Sequence, residues 1–184
     1  FYKKKGQPAV GETVLCTVKK ILYHSVFVSI DDYTNLDGMI HISEIAPGRI
    51  RNLRDYVIEG KKIICKVLDI NSQGQFDLSL RRITTGVMVN KLKEYKQEEK
   101  AEKMIEQVCK EFNMTLPKFY ETLGDKIVEK YGGLYPFLQT AAEKGKVVIE
   151  ELSSNPKFNE ALLHLIKEKI KSIELKIDKT VIVK

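Results

Sequence analysis

LDGMIHISEIAPGRIRNLR, residues 36–54, is the stretch that decides how the first half of the chain is interpreted. Its opening residues predict a short strand over 38–41, entered through a turn at Asp37-Gly38. Only one turn of helix fits between that strand and Pro47-Gly48, which ends it. The stretch therefore predicts a strand, a helical turn and a loop in succession.

Three arginines occupy the loop at the end of this stretch: Arg49, Arg51 and Arg54. The loop has few apolar residues, so we expect it to bury little surface and to hold its guanidinium groups in water or against a polyanion. Arginine matches phosphate oxygens and base edges through its planar fork of donors. The pattern is compatible with a solvated basic loop and with an RNA-binding loop.

Strand-like segments surround this stretch, with apolar residues at alternate positions and glycine-containing turns between them. The predicted strands cover residues 11–22, 26–30, 38–41, 62–70 and 75–80. Five short strands, with a helical turn and a loop between the third and the fourth, are typical of a small closed barrel of the oligonucleotide-binding (OB) type. We expect this domain to span residues 1–84.

From residue 85 onward the apolar period changes from two to about 3.6, which predicts helices. One helix opens at Thr115-Leu116-Pro117, with a capping threonine and an early proline, and ends at Gly132-Gly133. Asn155-Pro156 opens a further helix in the same way. We expect an all-helical domain over residues 85–172.

The last residues follow another pattern, because Ile173, Leu175 and Ile177 alternate and Val181-Ile182-Val183 follows. Alternation predicts a strand, and a lone apolar strand without a partner is unfavourable. We therefore interpret residues 173–184 as the first strand of a third, α/β domain whose remainder is absent from the sequence. The predicted fold class is multidomain α+β: a five-stranded OB-type barrel, a helical domain and the start of an α/β domain.

The composition narrows the class of protein. The 184 residues carry a net charge of +6, which permits an anionic partner without requiring one. Three cysteines stand far apart without a CxxC pair, which argues against a disulfide framework or a zinc site, and Cys16 and Cys65 are expected to be buried in strands. No apolar run approaches about 18 residues and no signal-peptide pattern is present, so we expect a cytoplasmic protein without a membrane partner.

Catalytic and metal sites find little support. His41 and Ser43 lie near Asp37, but no arrangement of nucleophile, base and orienting group follows from this proximity. Asp31-Asp32 can be read as part of a cation site or as a solvated acidic loop, and few further ligands are near. The sequence contains no GxxxxGK[ST] phosphate loop, so nucleotide hydrolysis would belong to another chain. We expect no enzyme, no metal and no cofactor.

Further basic residues concentrate in the barrel domain. With the loop arginines, they are the candidate phosphate contacts: Lys3, Lys4, Lys5, Arg81 and Arg82. A barrel of this type binds single strands on one face through basic groups and stacked aromatic rings.

Three runs carry a resemblance to a known family: VGETVLCTVKKI, VFVSIDDYTNLDGMIHISEI and GKKIICKVLDINSQGQFDLSLRR. They are similar to the S-one family of RNA-binding OB modules, with GMIHISEI and FDLSLRR as the most specific pieces. The resemblance implies that Phe27 and His41 lie on the RNA-binding face, although Phe27 could also be a packing residue. Where the family often has a Phe-Gly pair, this chain has His24-Ser25, so we expect backbone-driven and weakly sequence-selective contacts.

The order of the domains, with DDYTNLDGMIHISEIAPGRIRNL and KIVEKYGGLYPFLQTAAEKG, resembles the alpha subunits of translation initiation factor 2, in their archaeal form. The resemblance implies a heterotrimer with a beta subunit and a GTP-binding gamma subunit that delivers methionyl initiator tRNA to the small ribosomal subunit. It implies that the barrel lies near messenger RNA upstream of the start codon. Arg49 matches a family arginine that approaches that RNA and is the first candidate, followed by Arg51 and Arg54 as phosphate contacts or intramolecular clamps.

The same resemblance places Ala46 where eukaryotic members carry a regulatory serine, so we expect no phosphorylation site there. An alternative function is a general S-one-type RNA-binding accessory module of a ribosome-associated or RNA-decay complex. An RNA-processing enzyme is a third and weaker alternative. The helical domain favours the initiation factor, because an accessory module would not need it.

Overall fold

Five β-strands close into a barrel in the first part of the chain, as the alternating patterns predicted. This computed structural model describes Lys3, Lys4 and residues 6–182, with side chains through Ile170. The order around the barrel is β1-β2-β3-β5-β4, in which β3 and β5 are parallel and the other neighbours antiparallel. The strands are β1 (Thr13–Ile21), β2 (Ser25–Ile30), β3 (Leu36–His41), β4 (Lys62–Ile70) and β5 (Phe76–Ser79).

The inward-facing residues of the strands form the barrel core. Val26, Val28 and Ile30 alternate with half-buried residues along β2, which gives the period of two expected of a strand with one buried face. Cys16 and Cys65 are fully buried, as predicted. A hydrogen bond with Cys65, together with burial, raises the pKa of the Cys16 thiol, so this thiol stays protonated and unreactive.

Gly38 lies within a strand, as the predicted strand over 38–41 required, but the turn predicted at Asp37-Gly38 was wrong, because Asp37 belongs to the same strand. Gly38 belongs to β3 and faces β5, so that a Cβ atom on it would lie 2.7 Å from Leu78 Cδ1 and 3.1 Å from the Phe76 carbonyl oxygen. The glycine is therefore needed for the close approach of β3 and β5. The left-handed turn residue is Asn35, with φ of 53°.

Helices make up the second part of the chain, and the boundary between the two compact units falls between Lys91 and Leu92. The helices are α1 (Thr85–Glu111), α2 (Leu116–Phe119), α3 (Asp125–Tyr131), α4 (Leu134–Lys144), α5 (Lys146–Glu150) and α6 (Pro156–Ile182), with a π-helical segment at Tyr120–Gly124. None of them, within the described residues, is long and apolar enough to cross a membrane.

The predicted helix boundaries of this unit are confirmed where they rest on caps. Thr115 Oγ1 accepts from the Lys118 N–H at 3.4 Å, and Asn155 Oδ1 accepts from the Phe158 N–H at 3.3 Å. Gly132 ends α3 in the left-handed conformation, with φ of 83°. The enclosed core comprises, among others, Ile105, Phe119, Leu134, Phe137, Leu138, Ile149 and Ile166.

The predicted strand over residues 173–184 was wrong for the residues that the structure describes, because α6 continues through Ile182. Residues 170, 173, 177 and 181 are apolar at steps of three and four, which is the spacing of a helix face. Ile173 and Ile177 belong to that helix face, and the apolar residues Ile173, Leu175 and Ile177 were wrongly interpreted as a strand. A third domain beginning here is not confirmed, and Val183 and Lys184 lie outside the described residues.

Candidate nucleic-acid interface

The arginine loop, defined here as residues 46–54, is fastened to the barrel by apolar side chains. Leu53 is buried and Ile50 packs, partly buried, against the barrel core, while Ile45 and Val57 are buried at either end of the loop. The expectation that this loop buries little was wrong, because its apolar residues alternate with the arginines and act as anchors. An anchored loop loses less conformational entropy when a ligand binds to it.

The three arginine side chains of this loop are exposed. Arg54 Nη2 lies 3.5 Å from Glu59 Oε1, and both side chains are largely solvated, so this ion pair is weak. Asn52 Oδ1 accepts from the Arg54 backbone N–H at 3.0 Å and caps the turn that follows. Among the residues with described side chains, Arg49 and Arg51 have no carboxylate partner, so their guanidinium groups are available to an external anion.

Glu44 joins the helical turn after β3 to the end of β5. Its carboxylate accepts from Ser79 Oγ at 2.7 Å, from Arg82 Nε and Nη2 at 3.1 Å each, and from Arg81 Nε at 3.4 Å. Its backbone carbonyl accepts from the Leu80 and Arg81 N–H groups. The hydrogen bond from Arg82, assisted by that from Ser79 and by both positive charges, lowers the pKa of Glu44 to about 2. We call this arrangement the Glu44 clamp.

The clamp changes how Arg81 and Arg82 are interpreted. Both were candidate RNA contacts, and both hold Glu44 while keeping 39% and 50% of their side chains exposed. An RNA phosphate would have to share them with that carboxylate. Their structural role is therefore established by the geometry, and their RNA contact stays a prediction.

Phe27 and His41 lie on the same outward face of the barrel. Phe27 is opposite Met39 in register and His41 is opposite Ser25, so the two rings are diagonal neighbours. Phe27 is half-buried and exposes part of its ring. His41 Nδ1 lies 2.7 Å from Ser43 Oγ and accepts from the Ser43 N–H at 3.2 Å, so His41 also caps the helical turn. Their RNA contact is compatible with this geometry and stays a prediction.

The basic N-terminal arm is tied to the barrel through one of its lysines. The Lys4 N–H donates to the Asp32 carbonyl at 2.8 Å, and Lys4 Nζ lies 5.8 Å from the centroid of the Tyr33 ring. Lys3 is exposed. Lys5 was also predicted to contact RNA and lies outside the described residues.

Ala46 is half-buried, and its methyl group packs against the barrel core. A methyl group has no oxygen on which a phosphoryl group could be placed, so a phosphorylation switch cannot operate through this residue. This part of the loop is held by packing.

The acidic loop after β2 is used for internal contacts. Asp31 accepts from Thr17 Oγ1, from Ser29 Oγ at 3.0 Å and from Lys62 Nζ at 2.8 Å. Burial raises the pKa of Asp31, but the hydrogen bonds from Lys62 and Thr17 outweigh it and hold the pKa below its usual value. Asp31 thus joins β1, β2 and β4. In the part of the chain that the structure describes, no group of three or more His, Cys, Asp or Glu side chains is arranged to hold a metal.

Tyr23 is an exposed aromatic residue that was not among the predicted site residues. It lies in the turn between β1 and β2, and 87% of it is exposed at the tip of that hairpin. Its ring meets the His24 ring edge to face, with centroids 4.1 Å apart. The sequence carried only a weak signal, because an aromatic residue in a turn between strands can also be buried, as Tyr33 is between β2 and β3.

Comparisons with known proteins agree with this architecture. Residues 7–81 match a family model described as the S1 RNA binding domain, which is the S-one family of the sequence analysis. Residues 119–184 match a second model, described as the eukaryotic translation initiation factor 2 alpha subunit. The fold and the two family matches together define the class of protein. It is a protein of the translation-factor type, with an S1-type OB barrel followed by a helical unit.

Comparison with individual proteins identifies the family to which the chain belongs. The chain is 39% identical over 178 residues to translation initiation factor 2 subunit alpha of Methanopyrus kandleri, covering 96% of this chain and 67% of that one. It is 36% identical over 176 residues to the subunit of Archaeoglobus fulgidus, covering 95% and 65%. The chain therefore belongs to the family of translation initiation factor 2 alpha subunits. It spans about two thirds of the length of these curated relatives.

Solved structures give the same result. The intact alpha subunit of aIF2 from Pyrococcus abyssi matches with a TM-score of 0.81 at 30% identity, over 89% of this chain and 62% of that one. An a/eIF2alpha-aDim2p-rRNA complex from Pyrococcus horikoshii OT3 matches with a TM-score of 0.77 at 30% identity, over 89% and 98%. The predicted likeness to the archaeal form is confirmed.

Proposed function

We propose that this chain is the RNA-contacting, non-catalytic part of an initiation factor 2 alpha subunit. In this role it acts in the cytoplasm within a heterotrimer with a beta subunit and a GTP-binding gamma subunit. The heterotrimer delivers methionyl initiator tRNA to the small ribosomal subunit, and the arginine loop faces messenger RNA upstream of the start codon. Family membership supports this assignment, and the neighbour described as a complex with aDim2p and rRNA supports contact with RNA.

One observation carries the RNA contact. The arginine loop is anchored by Ile50 and Leu53, while Arg49 and Arg51 are exposed without a carboxylate partner among the residues with described side chains. Cations that stay unpaired on an ordered surface suit a polyanion, because they need not leave an internal partner before they bind phosphate.

The experiment is fluorescence anisotropy with a labelled single-stranded RNA and with initiator tRNA, at about 50 and about 200 mM salt. The test variant replaces Arg49, Arg51 and Arg54 by Ala. We expect weaker binding and a dependence of log K on log salt that is flatter by about 2, because each single-strand phosphate contact contributes about 0.7 to the slope.

A matched control removes the same positive charge from the helical unit. It replaces Lys100, Lys126 and Lys157 by Ala, all of which are exposed. If both triple variants lose equal affinity and slope, the binding is a general charge effect and the role of the loop is refuted. If the wild-type chain binds neither RNA at either salt concentration, autonomous RNA contact is refuted.

The assembly has a separate test. The complete alpha subunit that carries this sequence should co-purify with gamma and beta subunits, and the assembly should bind methionyl initiator tRNA only when GTP is present. An accessory RNA-binding module, the alternative function, would bind RNA without these subunits and would not associate with them.

A further inference from the structure

A groove of about 470 Å³ lies between the tip of the β1–β2 hairpin and the arginine loop. We call it the Tyr23 groove. It is lined on the hairpin side by Ile21, Leu22 and Tyr23 and elsewhere by Ile42, Arg51, Asn52, Leu53 and Arg54. Its volume falls within the range of about 300–1,000 Å³ that is usual for small-ligand sites.

The hairpin side of the groove offers an aromatic surface in a defined position. The Leu22 N–H donates to the Ser25 carbonyl at 2.8 Å, which closes the hairpin turn that carries Tyr23. The edge-to-face contact with His24 restricts the ring further, while 87% of Tyr23 remains exposed. Exposed aromatic rings of this kind are surfaces on which unpaired bases stack.

The opposite side of the groove is cationic. Arg51 has no carboxylate partner among the residues with described side chains, and Arg54 has only its solvated contact with Glu59. Asp55 is the other acidic residue next to this wall in the sequence, and it is exposed. A ligand that suits both sides therefore combines a flat apolar ring with a negative charge.

We propose that the Tyr23 groove binds one unpaired nucleotide of single-stranded RNA. The base stacks on Tyr23 beside Leu22 and Ile42, and its phosphate is held by Arg51 and Arg54. The inference rests on the proposed RNA contact and deepens it, because it assigns a base-binding role to a residue outside the Phe27 and His41 face. It also explains why contact need not depend strongly on sequence, since every base has a face that can stack.

The test compares variants of residue 23 in anisotropy with a labelled single-stranded RNA. We expect Tyr23→Ala to weaken binding at least about fivefold and Tyr23→Phe to keep most of the affinity, because the ring is preserved. Tyr56→Ala is the matched control, since Tyr56 is 51% exposed and does not line the groove. Glu59→Gln releases Arg54 from its ion pair and should strengthen binding about twofold.

A second arm identifies the stacked base directly. RNAs that each carry one abasic position are tested against the wild type and Tyr23→Ala. At the position that occupies the groove, loss of the base should weaken the wild type and leave the Tyr23→Ala variant unchanged. Thermal melting of each variant confirms that it remains folded.

The outcomes separate this inference from the proposed function. If the wild type binds RNA and Tyr23→Ala behaves like Tyr56→Ala, the groove does not bind a nucleotide, while the RNA contact stands. If Tyr23→Ala loses affinity but every abasic RNA affects both proteins equally, base stacking in the groove is refuted. If the wild type binds no RNA, the groove inference and the proposed RNA contact fall together.

Discussion

Glu44 shows how a single carboxylate holds the helical turn from which the arginine loop departs. Side chains of Ser79, Arg81 and Arg82 converge on it, and they stabilise its ionised form more strongly than water does. Its pKa in the folded protein is about 2, against an ordinary value of 4.5. Since the folded-state pKa is lowered, the stabilisation is present above the ordinary pKa and is lost as the pH falls toward 2.

We predict that Glu44→Gln lowers the free energy of local opening at the junction between β3 and β5 by about 1–2 kcal/mol at neutral pH. The glutamine has no charge to pair with Arg81 and Arg82, and the partial exposure of both arginines limits the loss. Hydrogen exchange of the Leu80 and Arg81 amides, which donate to the Glu44 carbonyl, measures the effect locally. The wild type should lose this protection between about pH 5 and pH 2, and the variant should show a weaker dependence on pH.

Glu59→Gln is the control for this prediction, because the Arg54–Glu59 pair is solvated and contributes about 0–1 kcal/mol. Equal loss of protection in both variants would mean that the clamp contributes no more than a surface ion pair.

Gly38 gives a second prediction at this scale. A methyl group at residue 38 would meet Leu78 Cδ1 at 2.7 Å and the Phe76 carbonyl at 3.1 Å, so Gly38→Ala should lower the free energy of unfolding of the barrel by about 1–3 kcal/mol. Gly86→Ala is the control: its methyl group meets nothing within 4 Å, and alanine is the better helix former. Thermal unfolding should separate the two, and an unchanged barrel in Gly38→Ala would show that the strands have room to move apart.

These residues mark what local sequence patterns can predict. The alternation of Val26, Val28 and Ile30 is contained in a few neighbouring positions, and the strand it predicts is present. The partner of Arg82, in contrast, is 38 residues away in sequence, and only closure of the barrel brings Glu44 to it. The turn predicted at Asp37-Gly38 was wrong for the same reason, since the atoms that exclude a side chain at Gly38 belong to β5.

At the scale of the elements, α4 depends on a cap from another helix. Gly133 precedes α4 and has no side chain to cap it, and Glu98 of α1 accepts from the Leu134 N–H at 2.9 Å and from the Tyr135 N–H at 2.8 Å. Burial raises the pKa of Glu98, and the two backbone hydrogen bonds only partly offset this. The Glu98 carboxylate thus accepts hydrogen bonds from two N–H groups at the start of α4 that have no partner within the helix. Its burial away from water makes this arrangement less favourable.

We predict that Glu98→Ala lowers the free energy of unfolding of the helical unit by about 1–3 kcal/mol, because two backbone donors lose their acceptor. Glu99→Ala is the matched control, since Glu99 is exposed and makes an ion pair only with Lys103 one turn away. Urea unfolding followed by circular dichroism should show a clear shift for the first variant and less than about 0.5 kcal/mol for the second. Equal shifts would mean that the loss comes from helix α1 itself and not from the cap of α4.

Element boundaries could be predicted from sequence where a chemical stop signal was present. Thr115, Gly132 and Asn155 each mark a helix end by a side chain or a conformation that acts locally. The end of α6 carries no such signal, and a pattern of apolar residues was taken for a strand. The π-helical segment at Tyr120–Gly124 was not predicted either, because π-helix is rare and no residue pattern in the sequence marked it.

At the scale of the whole molecule, the chain combines a barrel with a basic loop and a separate helical unit. The resemblance found in the sequence is confirmed for the family, and the arrangement of five strands that it implied is present. The exposure of Arg49, Arg51 and Arg54 could be predicted because a guanidinium group is rarely buried, and their contact with RNA stays a prediction. The Tyr23 groove could not be predicted, because its two sides come from segments about thirty residues apart that only the closed barrel brings together.

The central claim is that the arginine loop faces messenger RNA during initiation. The most direct test places 4-thiouridine upstream of the start codon of a messenger RNA, assembles it with small ribosomal subunits, initiator tRNA and the factor containing the complete alpha subunit, and irradiates the complex. We expect mass spectrometry to find crosslinks within residues 46–54, and Arg49→Ala to reduce their yield. Crosslinks confined to the helical unit, or none on an alpha subunit that is demonstrably bound to the complex, would contradict the account.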